Sequence, residues 1–435
     1  MADYSHKIVI AGAGVAGLSA GVFLKRHGYE NITFIETSEK VGGRMQTENI
    51  DGFTLDKGFH VFFAAYPYAQ DLLDYNKLNL KYFDSGAIIF REGKLRKIMD
   101  PFRHPLSTFK TIFNAIGTWG DKINLVKRRI EVMQATENQI FEKFEVKTSS
   151  ILKKKRFSNR FIKGFFQPLF SGIFLENELT TSRRVFDYTF KMMMEGRTAI
   201  PAEGIAAIPN QLASQFDKES FKFNKSVVSF TNNKVMLDDG EVIPADIFIV
   251  ATNQNSLYRL LKNEPLIKNR STTCLYFSAD KKPFSEPLVC VNGNDLKLVN
   301  NITVLTNIYK GFAPKGKELI SVSLNGFAKA EDLVLEEEVK VELRKVFGKD
   351  VYDWKLIKVY KIDYALPNQD YVLSKRQVHE LKLGQNVYAC GDHLLYGSMN
   401  AAMKSGKMVA ELIHKDFNRG HRLEQKKKYD NLFEH

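Results

Sequence analysis

Gly12, Gly14 and Gly17 follow the spacing G-x-G-x-x-G, in which the lack of side chains lets main-chain amides close on a phosphate. Gly12 suits a tight turn, Gly14 a close approach to pyrophosphate, and Gly17 the packing of a helix on a strand. Val15 and Ala16 open that helix, so their N–H groups would face the anion. The elements that must hold this loop are also legible. Ile8-Val9-Ile10-Ala11 is the short apolar run of a buried parallel strand, and the helix is predicted from Val15 to about His27, where Gly28 ends it. A second strand, Ile32 to Ile35, delivers Glu36 about 20 residues beyond the last glycine, where a carboxylate accepts ribose hydroxyls and repels a 2'-phosphate. Strand, glycines, helix, strand and acid in this order describe a Rossmann-type dinucleotide site.

The next residues separate a flavin dinucleotide from a nicotinamide one. Val41-Gly42-Gly43-Arg44 can bring a guanidinium to the pyrophosphate, and Asp51-Gly52-Phe53-Thr54-Leu55-Asp56-Lys57-Gly58-Phe59-His60 comes after it. Near the other end stands Asn386-Val387-Tyr388-Ala389-Cys390-Gly391-Asp392-His393, then Gly397-Ser398-Met399-Asn400 and a helix predicted to run to about His414. On these two groups of residues the chain resembles the FAD-dependent amine oxidase superfamily, and within it phytoene-desaturase-like and protoporphyrinogen-oxidase-like flavoproteins.

The resemblance implies an α/β fold: a Rossmann-type FAD-binding domain of glutathione-reductase-like form with an interleaved α+β substrate domain. It implies non-covalent FAD held by Gly12, Gly14, Val15, Ala16, Gly17, Glu36, Gly42, Gly43, Arg44, Gly58, Phe59 and His60. Main-chain atoms near Val228 are expected at the adenine end, and Asp392, next to Gly391, in the ribitol and phosphate network. Ser398, Met399 and Asn400 would start a helix whose dipole faces the flavin, and Ala401, Ala402, Ser405, Gly406 and Ala410 would let it approach other backbone closely. One position departs from the family: Glu203 stands where Pro-x-Gly-Gly has its first glycine.

The chain has 435 residues, enough for two domains or two interleaved lobes. The expected division is 1–80, 200–265 and 380–435 for FAD, and 81–199 with 266–379 for the substrate. A formal charge of +13 is compatible with an acidic partner, yet no zinc-ligand spacing, RNA-binding signature or recognition helix accompanies it, which argues against nucleic acid. Cys274, Cys290 and Cys390 share no C-x-x-C spacing and read as buried thiols in a reducing compartment, with no metal site. An early first strand and the lack of a long apolar run give a cytoplasmic expectation, at most peripheral to a membrane.

Between the motifs, a helical pattern is predicted from about Tyr68 to Leu80, a hairpin over Ala87 to Ile98, and mostly helix from Pro105 to Lys191. Phe157, Phe161, Phe165, Phe166, Phe170 and Phe174 recur at helical spacing beside Lys153-Lys154-Lys155-Arg156. They read as core, as the wall of a substrate cavity, or as a membrane-docking face for which Lys426-Lys427-Lys428 would be a second contact. Residues 270–375 show alternating strands and a charged helix from about Ala330 to Phe347, with no chemistry of their own.

His60 and His393 both follow cofactor motifs and are the candidate catalytic residues, although a histidine hydrogen-bonded for structure is the default reading, since no paired acid or nucleophile is visible. Hydride transfer to a flavin needs no protein nucleophile, so the missing triad is tolerable. Three functions stay open. One is oxidation or desaturation of an apolar small molecule, an isoprenoid or carotenoid, with oxygen or a quinone as electron acceptor. The second is an amine or porphyrinogen oxidase, and the third a flavin protein without net redox turnover.

Overall fold

The computed structural model describes residues 5–100, 103, 117–261, 268–293, 295–373 and 378–430, with side chains of the last helix described to Phe417. At its centre is a parallel sheet in the spatial order Phe221–Lys222, Ile32–Ile35, Ile8–Ala11, Ile247–Val250, Val387–Ala389. Ile8–Ala11 and Ile247–Val250 are wholly buried. This is what near-continuous apolar runs specify when both faces are covered. The first helix spans Val15–Arg26 with His27 at its C-cap, and Gly28 turns the chain out at φ 96°.

One face of that sheet is covered by two helices from opposite ends of the sequence. The terminal helix, Met399–Asp430, lies on Val15–Arg26 so closely that a Cβ on Gly406 would come within 2.7 Å of both the Ala16 carbonyl oxygen and the Ala20 nitrogen. The small residues expected there thus pack backbone on backbone. The helix is longer than its sequence pattern suggests, because its predicted stop at His414 marks no boundary: that side chain stacks on His27 with ring centroids 4.2 Å apart. Lys426, Lys427 and Lys428 have side chains outside the described residues.

A second, seven-stranded sheet runs in the order Lys355–Leu366, Arg270–Ala279, Glu318–Asn325, Val299–Val304, Val289–Asn292, Gly86–Arg91, Lys94–Met99. Its outer face carries Leu275, Phe277, Ile302, Ile320 and Val322 against Leu335, Val339 and Leu343 of the helix Asp332–Phe347. The inner face turns to the rest of the molecule. Two short hairpin and bridging sheets, Thr47–Ile50 with Phe53–Asp56 and Phe62–Phe63 with Thr198–Pro201 and Leu80–Tyr82, link the large ones.

One local expectation is corrected, and one choice among readings is decided. The helix after His60 is short, Pro67–Leu72, and Leu80 opens a strand, because Leu80 to Tyr82 pair with Ala199 to Pro201. Phe157, Phe161, Phe166, Phe170 and Phe174 are core, at most 5% exposed, in a ring cluster with Phe186 and Phe190. They cannot form a membrane-docking face. The start of the predicted helical region at Pro105 lies outside the described residues.

Gly406→Leu should force the two helices apart and lower stability by about 1 to 3 kcal/mol, the usual cost of overpacking. Thermal unfolding should show this as a depressed Tm. Glu411→Ala, on the exposed side of the same helix, is the control and should leave the Tm nearly unchanged.

Candidate active site

The glycine loop is built as the spacing requires. Gly12 sits at φ 104° and a Cβ there would come within 2.7 Å of the Ala251 carbonyl oxygen, so the turn accepts no other residue without strain. Gly14 is the N-cap of the first helix and gives it no side-chain cap, leaving the opening amides at Val15 and Ala16 open to a ligand. Gly14 bridges Gly42, and the Gly42 amide donates to the Ala13 carbonyl at 2.9 Å. A Cβ on Gly14 would meet only the Gly43 Cα, at 3.9 Å, and a Cβ on Gly43 only the Gly14 Cα, at 3.4 Å. The two loops therefore form a cradle that side chains would fill, beside a helix N-terminus suited to pyrophosphate.

Glu36 is buried at the end of its strand. Its Oε2 accepts from the Ala13 amide at 2.8 Å, and Oε1 accepts from the Ser38 amide and hydroxyl at 3.0 and 2.8 Å. Thr37 Oγ1 also donates to Oε1 at 3.2 Å, so Oε1 is fully engaged and Oε2, with one bond, is the oxygen left to accept from a ribose hydroxyl. The segment leading to Val228 runs alongside, since the Lys225 amide donates to the Glu36 carbonyl at 3.1 Å. Register slips between Val227 and Ser229, so Val228 drops out of the ladder and its main chain is available at that edge.

Arg44 meets the far end of the chain. Its Nη2 donates to Asp392 Oδ1 at 2.7 Å, its Nη1 to the Ala365 carbonyl at 2.9 Å, and its guanidinium lies 5.4 Å from the centroid of the Tyr364 ring. Asp392 arrives there because Cys390 continues the edge strand, its amide donating to the Val250 carbonyl at 3.0 Å, while the Gly391 amide donates to Ser405 Oγ at 2.9 Å. The ring of His393 packs over Gly391, where a Cβ would come within 2.4 Å of its Cε1.

At the start of the terminal helix the side chains are already engaged. Ser398 Oγ accepts from the Ala401 amide at 3.0 Å as a cap. Asn400, fully buried, accepts from the Tyr68 amide at 3.2 Å and meets the Tyr188 and Tyr396 hydroxyls at 2.8 and 3.2 Å. Any contact to a ligand from Asn400 thus falls to its main-chain amide, while the Met399 side chain is only partly buried.

The Gly58 carbonyl accepts from the Tyr276 hydroxyl at 3.2 Å, and Phe59 packs edge-on to Phe83. His60 is held by a 3.0 Å hydrogen bond between Nε2 and the Lys57 carbonyl, and burial lowers its proton affinity, which favours a neutral ring. That bond closes the turn at Lys57 to His60 and gives the ring a structural task.

With this geometry in place, comparison with known proteins decides the family. Residues 15–414 match the family described as flavin containing amine oxidoreductase. The chain belongs to that family. Its cofactor is FAD, and the cradle, Glu36 and the Arg44–Asp392 pair make a donor and acceptor set that fits it. The 15-cis-phytoene desaturase of Glycine max is 22% identical over 472 residues, covering 94% of this chain and 79% of that protein. Among solved structures, a putative protoporphyrinogen oxidase from Exiguobacterium sp. 255-15 aligns with a TM-score of 0.72 at 17% identity, over 95% of this chain and 99% of that one. A putrescine oxidase bound to putrescine aligns with a TM-score of 0.66 at 14% identity, over 94% and 99%. These likenesses share the fold.

In this flavin containing amine oxidoreductase, one group of residues has no counterpart in the sequence reading. On the inner face of the seven-stranded sheet, Cys274 lies opposite Ser323 and Tyr276 opposite Ser321; Ser323 in turn lies opposite Asn301, and Ser321 opposite Thr303. All six are buried. Burial pushes the Cys274 thiol up to about 11 and the Tyr276 phenol well above its ordinary value, so both are neutral. In sequence the alternation of Ser321-Val322-Ser323-Leu324 looks like a strand with one wet face.

Beside this face, Asp56 accepts from Thr47 Oγ1 at 2.7 Å and from the Ile205 amide at 2.9 Å, tying the hairpin to the turn after Pro201. Burial pushes its carboxyl up from 3.8 to about 6 despite both hydrogen bonds. Because the folded protein holds this proton more tightly than the unfolded chain, the contribution to stability is full below about pH 4 and is lost as pH rises to about 6. Asp56→Asn keeps both acceptor contacts without the buried charge. It should raise stability at pH 7 by about 1 to 3 kcal/mol and flatten the profile between pH 4 and 6. Denaturant unfolding of both proteins across that range is the check.

Proposed function

We propose that the protein takes hydride from an uncharged, mostly hydrocarbon small molecule, acting as an FAD-dependent desaturase or dehydrogenase. The observation that carries this reading is the inner sheet face next to Gly58, where Cys274, Tyr276, Asn301, Thr303, Ser321 and Ser323 offer no fixed charge. A cationic amine brought against these six residues would lose its hydration, and the nearby carboxyl of Asp56 is already engaged by Thr47 and the Ile205 amide on one oxygen and held closer to neutrality by burial. Phytoene desaturases among the relatives act on a hydrocarbon in keeping with this face, whereas putrescine, bound by the structural neighbour, carries charge.

When bound, non-covalent FAD supplies a ring that accepts hydride. The chain's part is to hold and shield. The Val15 and Ala16 amides and the Arg44 guanidinium would hold the pyrophosphate, Glu36 would take the adenosine ribose, and the main-chain amides of Met399 and Asn400 would favour negative charge at the ring. We assign 1–80, 200–265 and 380–435 to the cofactor and 81–199 with 266–379 to the substrate. Electrons then leave to oxygen or a quinone.

Anaerobic mixing with a carotenoid precursor, a polyamine and a porphyrinogen, followed at the flavin absorbance, tests the reading. Bleaching by the neutral polyene is the expected result. Bleaching by the polyamine alone would overturn it in favour of an amine oxidase.

A further inference from the structure

The helix Trp119–Gln134 is inverted relative to an ordinary surface helix, which turns apolar residues inward and charges outward. Its buried side chains are Asp121, Arg128 and Val132, two of them of charged type. Asp121 accepts from the Thr118 amide at the helix start and from the Ser158 amide, both at 2.7 Å. Arg128, 1% exposed, is paired with Asp187 and with Glu131, the latter at 2.8 Å. The opposite face carries Trp119, Ile123, Val126 and Ile130, which are 70%, 54%, 42% and 50% exposed. Steps of four, three and four residues align them in one stripe along about three turns. Large apolar side chains gathered outside, with charges held inside, mark a face that meets something other than water.

The borders of the stripe are basic. On one side the Lys122 ammonium lies 4.0 Å from the centroid of the Trp119 ring. On the other, the turn that follows the helix Thr148–Lys154 runs alongside, because the Asn124 side-chain amide donates to the Arg156 carbonyl at 3.1 Å. That turn brings Lys153, Lys154, Lys155 and Arg156 next to Lys127. Glu131 takes up Lys155 at 2.8 Å and is shared with Arg128 and Lys143, so its charge is spent. Lys127, Lys153, Lys154 and Arg156 are exposed and have no acidic partner within ion-pair distance among the described residues. An apolar stripe therefore stands beside uncompensated positive charge.

We infer that this stripe and the basic run beside it dock the protein on an anionic lipid bilayer, with the helix lying in the interface and its apolar side chains among the acyl chains. Among the described residues no helix is long and apolar enough to cross a membrane, so the contact is one that lies on the bilayer. A tryptophan with a lysine over its ring suits the headgroup level, where an amphipathic ring and a snorkelling ammonium are both accommodated. A neutral bilayer would leave the lysines without counter-charge. An isologous contact with a second copy would bring this patch against itself and leave the basic run equally uncompensated. A bilayer would also hold an apolar substrate of the class proposed above, yet the docking does not depend on that chemistry.

The test is flotation of the full-length holoprotein with vesicles of phosphatidylcholine alone or of phosphatidylcholine mixed with phosphatidylglycerol. Binding to the anionic vesicles at low salt, lost in about 1 M salt and absent with the neutral ones, is the expected result. The chain has two tryptophans and Trp354 is buried, so a shift of emission to shorter wavelength on binding reports Trp119 entering lipid. Ile123→Glu with Ile130→Glu should lower vesicle affinity about tenfold or more and remove the shift. Lys153→Gln with Lys154→Gln should also lower affinity about tenfold or more, while the shift persists at saturating lipid. All four positions are exposed, so Tm and FAD content should match the parent, which separates lost docking from a lost fold. No binding to anionic vesicles at low salt overturns the proposal, as does binding without an emission shift or binding untouched by the two glutamates. Dimerisation in sedimentation velocity that the glutamates abolish, without vesicle binding, would assign the face to a second copy instead.

Discussion

The ion pair between Arg44 and Asp392 is the contact on which the arrangement of this protein turns. The two residues are 348 positions apart in the chain, and each follows a glycine at the end of a motif that is incomplete alone. Asp392 has a side chain only 5% exposed, and a carboxylate so placed is costly without a partner. Arg44 supplies one and also anchors to the Ala365 carbonyl, so the pair joins three separate segments. The Val387–Ala389 strand beside Ile247–Val250 and the terminal helix on Val15–Arg26 bring those segments to the same place.

The consequence for chemistry is a division of labour. In the proposed reading, the parallel sheet and its two helices would hold the dinucleotide through main-chain amides, one acidic side chain and one basic one. The seven-stranded sheet approaches through Tyr276 and Gly58 and contributes an uncharged surface. Neutral walls suit hydride transfer from a carbon centre, where no charged group is needed on the protein and where water must be kept out. Cys274, Cys290 and Cys390 are all buried thiols with raised proton affinity, so none of them stands as a reactive thiolate.

Much of the cofactor side was legible in the sequence because its constraints are local. Glycines at fixed spacing, Glu36 after a strand and Gly391-Asp392 after another each act within a few residues of where they are written. The partnership of Arg44 with Asp392 was not legible, since the Gly-Gly-Arg pattern pointed the guanidinium at phosphate and no local pattern couples distant ends. Asn400 was expected at the cofactor, yet its side chain is consumed by Tyr68, Tyr188 and Tyr396, a tertiary network that periodicity does not reveal. The phenylalanines from Phe157 to Phe174 had the right spacing for a surface stripe but are enclosed by Phe186 and Phe190 of a later helix. The polar inner face of the seven-stranded sheet was hidden for the opposite reason, because alternating small polar residues normally mark a face turned to water, and only the stacking of lobes buries this one.

A double-mutant cycle on FAD affinity addresses the central claim directly. Arg44→Ala, Asp392→Ala and the combined variant would each be compared with the parent by the dissociation constant of FAD. If the pair joins the two ends around the cofactor, the single losses should overlap, with a coupling energy of about 1 kcal/mol or more. Losses that simply add, to within about 0.5 kcal/mol, would show the two residues acting independently and would contradict the account.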